Sequence, residues 1–188
     1  MAILRAPFNQ VGATAGGHAQ AGADGHLHAF ATALFAGVET TSAIVGQSFP
    51  VTPTSGVGFG PFPPFFPTQF RIITATVTLF VQHSSDSFAV FGGFGAGATV
   101  ELVMLRGSSI MPIGRQRLEL ENSVSPILWG ASHIGSDRIT LSIAAINVAT
   151  GPETWSVGVR LGASASGVGL GEASANIFTD VNSIITNT

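Results

Sequence analysis

The sequence predicts an all-β protein, an antiparallel sandwich or barrel of about ten short strands. Three observations predict it. Apolar and polar residues alternate at period two along most of the chain, the mark of strands with one buried face. Turn-forming runs interrupt the alternation at short spacings, at Gly92-Gly93, Arg106-Gly107-Ser108-Ser109, Gly135-Ser136-Asp137 and Thr150-Gly151-Pro152. No long segment has the 3.6-residue period of an amphipathic helix, and no repeat of solenoid length is visible.

Residues 1 to 25 are rich in Gly, Ala and Gln, as in Val11-Gly12-Ala13-Thr14-Ala15-Gly16-Gly17. Such a stretch buries little and reads as a flexible N-terminal arm, or as an arm that a neighbour orders. Strands follow over 27 to 38 and 42 to 51, although Ala and Leu would also let 30 to 38 form a short helix. The clearest strand spans 71 to 82. Ile73, Ala75, Val77, Leu79 and Val81 share one face, and threonines occupy most of the other. Further strands fall at 87 to 94, 100 to 105, 117 to 121 and 127 to 129. The stretch 138 to 145 alternates again, and its apolar face shifts to Ile146 and Val148, which predicts a bulge near Ala144-Ala145. Trp155, Val157, Val159 and Leu161 point inward in the next strand, and a last one spans 173 to 184. Ile73, Val77, Leu79, Leu141, Ile143, Trp155 and Val157 are the expected core.

Composition narrows the function. Charged residues make up 9% of the 188, lysine is absent, and hydrophobic residues reach 45%. A soluble monomer ordinarily carries about a quarter charged residues. A surface this poor in charge points to burial against other subunits. The alternative is a monomer covered by Ser, Thr, Asn and Gly. The net charge of −3 gives no electrostatic grip on phosphate, and the first 25 residues hold one cation, Arg5. Nucleic acid is therefore not an expected partner. Cysteine is absent, which excludes disulfides and Cys-based metal sites. The N-terminus does not read as a signal peptide, and no run of 18 apolar residues suggests a membrane helix. A membrane β-barrel is disfavoured by the absence of Tyr and by strands that look too short. Membrane insertion is not expected.

The run from Gly58 to Pro67 carries four Phe and four Pro in ten residues. Proline bars it from a central strand, and four phenylalanines are unfavourable in water. It folds over one end of the domain or packs into a neighbour. Phe59, Phe62, Phe65 and Phe66, with Phe8 in the arm, are the expected subunit contacts.

Catalytic signals are weak. No Gly-x-Ser-x-Gly elbow leads from a strand into a helix. Glu119 and Glu121 share a strand face, but Arg115 and Arg117 flank them, which reads as an exposed ladder of ion pairs. Asp137 reads as closing its turn. His26 and His28 form a His-x-His pair that, with His18 or Asp24, offers a weak metal site. Neither Gly58-Phe59-Gly60 nor Gly95-Ala96-Gly97 resembles a nucleotide loop. No cofactor is expected. Trp129, beside Gly130, is a candidate platform for stacking on a sugar.

Residues 98 to 170 resemble the C1q/TNF-like jelly roll, in the bacterial form that caps exosporium filaments. The carrying residues are Val100-Glu101-Leu102-Val103-Met104-Leu105-Arg106-Gly107-Ser108-Ser109-Ile110-Met111-Pro112-Ile113 and Val124-Ser125-Pro126-Ile127. Gly135-Ser136-Asp137-Arg138-Ile139-Thr140-Leu141-Ser142-Ile143 and Gly162-Ala163-Ser164-Ala165-Ser166-Gly167-Val168 complete it. No collagen-like stalk is present. The resemblance implies a ten-strand jelly roll and a trimer joined through apolar faces. The combined expectation is an arm over 1–25 and a jelly-roll β-sandwich over 26–188. It would act as a non-enzymatic structural subunit of an extracellular surface structure or virion, self-assembling through uncharged faces. The alternative is a carbohydrate-binding, lectin-like module.

Overall fold

Three long strands run through both halves of the molecule, and the outer two change their outer neighbour halfway along. A computed structural model describes residues 2–4, 8–53, 70–107, 109, 111–125, 129–148 and 151–187. It describes the side chains of all of these but 2–4, 8–11, 121–123, 125 and 129. The strands are β1 (Ala2–Leu4), β2 (Phe8–Ala13), β3 (Gly17–Ala21), β4 (His26–Val51), β5 (Arg71–Arg106), β6 (Pro112–Ser125), β7 (Trp129–Asn147), β8 (Glu153–Asp180) and β9 (Ile184–Asn187). All pairings are antiparallel, and the described residues contain no helix.

β8 lies between β4 and β5 along almost its entire length. The outer neighbours differ between the halves. β3 and β7 flank one half, in the order β3-β4-β8-β5-β7. β2 and β6 flank the other, in the order β2-β4-β8-β5-β6. β9 and β1 extend the first half beyond the end of β8. Registers slip where the halves meet, between Leu34 and Ala36 in β4 and between Ala89 and Phe91 in β5.

One face of this sheet is buried in both halves, and their inward side chains form one cluster. Burial of that face with no covering helix requires the sheet to fold over on itself. The slipped registers mark the crease. The core tapers towards it. Leu27, Ile177, Phe49, Trp155, Leu102 and Met104 fill the core away from the crease, whereas Ala33, Ala89, Ala96, Ala165 and Ala173 line it nearby. Phe94 is the one large buried side chain at the crease among the described residues, and its ring sits against Gly167 and Gly171. A Cβ added to Gly167 would lie 2.1 Å from that ring.

All seven residues expected in the core are buried. Residues 30 to 38 continue the strand expected over 27 to 38 and do not form the alternative helix, with Ala31 and Ala33 on the buried face. Several local expectations are corrected. The stretch read as an arm supplies β2 and β3, zipped to β4 over 41–46 and 27–31. Backbone pairing gives this small-residue stretch its place, and Glu39 fixes the connection by accepting the Gly16 N–H at 3.0 Å. Gly92-Gly93 and Gly135-Ser136-Asp137 are not turns but lie inside β5 and β7. Gly135 leaves room for the buried His83 ring, and Asp137 bonds His83 Nε2 at 2.9 Å. No register slip occurs at Ala144-Ala145, so Ile146 simply faces outward. Strands β4 to β8 are far longer than seven residues, which removes that objection to a membrane barrel. However, no pairing among the described residues closes the sheet, and its inner face is apolar and filled. No helix among the described residues is long and apolar enough to cross a membrane.

Trp155 is fully buried, and its Nε1–H donates to Glu153 Oε2 at 2.9 Å. The same oxygen accepts from Arg106 Nε at 2.8 Å. These bonds, Arg106 first and Trp155 second, hold the Glu153 carboxyl below its ordinary range. A depressed carboxylate contributes stability above its unfolded pKa of about 4.3 and loses it as pH falls through the folded value. Thermal melts should therefore show wild type losing more stability than Glu153→Gln below about pH 4. Parallel melting curves for the two proteins would refute the role given to Glu153.

Candidate functional site

The crease presents a crest of apolar side chains to solvent. β4 contributes Leu34, Phe35 and Val38, β5 contributes Val90 and Phe91, β8 contributes Val168 and Leu170, and β6 contributes Val124. Register brings them together. Phe91 pairs with Leu170, Ala36 and Gly93 flank Val168 from either side, and Gly95 sits between Ser166 and Val124. Val168 is 72% exposed, Phe35 61% and Phe91 58%. Scaled to the area of a large apolar side chain, the crest shows roughly 800 Å². The largest apolar patch on an ordinary monomer is about 300–600 Å².

Two features show that the crest is built rather than incidental. Gly92 and Gly169 have φ of 99° and 122°, which glycine alone adopts readily, and where they pair the main chains of β5 and β8 leave no room for a Cβ on either. Phe35 has φ of 63°, the left-handed region that bulky residues avoid. It lies unpaired between Leu34 and Ala36, where the register slips and three residues of β8, 169–171, stand opposite it. Glycine normally fills that position. Here a strained residue carries an aromatic ring out into solvent.

Charge is sparse around the crest and acidic. Glu172 pairs with Leu34 and with Phe88, and Glu39 pairs with Ala165. The arginines concentrate elsewhere. On the outer face of the second half, Glu101 is 7% exposed, with Arg160 Nη1 at 3.3 Å and Arg115 Nε at 3.7 Å. Arg117 pairs with Glu119 at 3.8 Å as an exposed contact, so the expected ladder is split between two acidic partners. A second apolar group, Phe70, Ile72, Ile146 and Val148, lies away from the crease, next in sequence to residues 54–69.

Phe59, Phe62, Phe65 and Phe66 lie outside the described residues, as does the side chain of Phe8. The Phe8 backbone pairs with Gly46. The Trp129 side chain is likewise outside, and its backbone pairs with Ala89 next to the crease. His26 and His28 share the outer face of β4. His26 Nδ1 bonds Asp180 at 3.0 Å, and His28 Nε2 bonds Asn176 at 2.7 Å. The His18 ring lies 5.8 Å from that of His28. No group of three His, Cys, Asp or Glu among the described residues is placed to hold a metal ion. The sequence missed the crest because Phe35, Phe91 and Val168 belong to three strands that only register brings together.

The chain matches no family model and no curated protein. Among solved structures it is similar to the carbohydrate-binding module TmCBM61, solved in complex with β-1,4-galactotriose. That match has 12% identity, covers 95% of this chain and 87% of that one, and has a TM-score of 0.25. It is also similar to the Gt strain of infectious bursal disease virus, with 15% identity, 84% of this chain, 42% of that one and a TM-score of 0.22. The T13 particle of that virus gives 12% identity, 78% of this chain, 49% of that one and the same TM-score of 0.22. The chain thus spans less than half of either viral chain. Overlaps this loose assign no function.

Proposed function

We propose that this protein is a non-enzymatic structural subunit that assembles with copies of itself through the apolar crest at the crease. The single observation behind this reading is the patch of roughly 800 Å², the area one partner contributes to a standard protein interface. Its composition fits a protein partner. Aromatic and branched apolar side chains form the centre, and polar residues form the rim. Its charge does not suit an anionic membrane, because Glu39 and Glu172 flank it and, among the described residues, no arginine does. The whole chain tells the same story, since 9% charged residues leave little else to keep such a surface apart. A crest meeting its own copy would close a symmetric particle, whereas a crest meeting a different face would propagate a fibre or shell. The C1q/TNF-like resemblance of residues 98 to 170 fits a trimer within the closed class. An extracellular surface structure or virion is the setting this reading suggests.

Sedimentation velocity on wild type and Val168→Asp tests it. Val168 is largely solvated within one chain, so the substitution should leave the melting temperature within a few degrees. It should dissociate the assembly, because a carboxylate would be desolvated at the centre of the contact. A wild type that sediments as a monomer at every concentration would sink the proposal. So would a Val168→Asp assembly as stable as the parent.

A further inference from the structure

We propose a second site, a groove on the outer face of the first half that binds a neutral oligosaccharide. The groove crosses β4, β8, β5 and β7 and has a volume of about 560 Å³, within the range of small-ligand clefts. Register fixes its floor. Thr32, Ser174, Asp86 and Ser132 form one row across the four strands. Glu172, Phe88 and Gly130 form the next row towards the crease, and Phe30 stands on the side away from it. At the usual strand spacing the row is about 15 Å long, room for roughly three pyranose rings.

The chemistry of the walls selects the ligand. A sugar presents hydroxyl groups in its plane and C–H groups on its faces. Carboxylates accept bonds from neighbouring hydroxyls, serine and threonine both donate and accept, and an aromatic ring packs against the C–H face. Asp86, Ser132, Glu172 and Ser174 converge on the groove, and among the described residues none has a side-chain hydrogen bond or ion pair. Their bonding capacity is therefore left for a ligand. Phe88 is 48% exposed, and its ring reaches over Gly130, where an added Cβ would lie 3.5 Å from it. A side chain larger than hydrogen there would stand on the floor beside the ring.

Other ligand classes fit less well. Among the described residues, two carboxylates and no Arg, Lys or His line the groove, so phosphate, sulfate and acidic sugars are repelled. A calcium ion takes six to eight oxygens, usually with more carboxylates than these two. An apolar peptide helix would want a continuous apolar trough, and hydroxyls and carboxylates interrupt this one.

The test uses full-length protein on an array of neutral, sialylated and sulfated glycans, with calorimetry on the neutral oligosaccharides that bind. The expected result is binding to neutral glycans and not to the acidic ones. Phe88→Ala and Asp86→Ala should each weaken it at least tenfold with unchanged melting temperature, since both side chains project from the outer face. Val168→Asp should keep the affinity per chain, which separates this site from the assembly reading. Absence of any neutral glycan on the array, equal binding of acidic ones, or full affinity in both groove variants would overturn the proposal. A calcium ion or an arginine-rich peptide titrating Asp86 where no neutral glycan binds would also overturn it.

Discussion

Gly92→Ala should unfold the crease, while Gly93→Ala, one residue away, should be close to neutral. The contrast follows from backbone geometry. Gly92 has φ of 99°, and a Cβ there would lie 1.8 Å from the Val168 carbonyl oxygen. Gly93 has nothing within 4 Å of the same added atom. The obstacle at Gly92 is main chain of the adjacent β8, so no rotamer change relieves it. Either β5 and β8 separate at the crease, or the alanine takes a backbone conformation that breaks the pairing. Strain and lost pairing together should cost about 3 kcal/mol or more. For a domain of this size that is a fall of about 10 °C in melting temperature. Gly169→Ala should behave like Gly92→Ala, because its Cβ would meet the Phe91 carbonyl oxygen at 2.1 Å. The measurement is a set of thermal or urea melts on the three variants. Equal effects at Gly92 and Gly93 would mean that the two long strands do not meet at Gly92 as the structure has them.

That close approach explains which parts of the fold could be read from the sequence. Faces were legible, because period two states directly which side of a strand is buried. Ile73, Val77, Leu141, Trp155 and Val157 needed no more than that. The crease was not legible, because glycine pairs mark chain reversals and sharp bends alike, and Gly92-Gly93 reads as a turn until β8 is known to pair there. Gly135 has a third role, giving space to His83, which depends on a residue 52 positions away in the chain. Register was equally hidden. Thr32, Asp86, Ser132 and Ser174 form a row only after three strand pairings have been fixed, and periodicity fixes none of them. The low charge did point towards a sheltered apolar surface. It did not say where, and the phenylalanine-rich run drew attention away from strands that look regular. Phe35 left no signal at all, since nothing in an Ala-Leu-Phe-Ala stretch announces a left-handed residue.

Phe35 allows stability and assembly to be driven in opposite directions. In Phe35→Gly the left-handed backbone is kept and its strain is removed, worth about 1 kcal/mol. Little packing within the chain is lost, because the ring is 61% exposed. The variant should melt roughly 2–4 °C higher than wild type. It should also assemble about 30-fold more weakly, the usual consequence of deleting an aromatic anchor worth about 2 kcal/mol at an interface. Phe80→Ala serves as the control. Phe80 is also exposed but sits opposite Arg138, away from the crease, so it should leave assembly alone and give no gain in stability. Equilibrium sedimentation and thermal melts on both variants give the four numbers required. If Phe35→Gly melts lower and assembles normally, the ring packs within its own chain and the strain has a structural explanation. If it melts higher and assembles poorly, the strained backbone is retained because the ring is needed by another copy, a cost that folding alone gives no reason to keep.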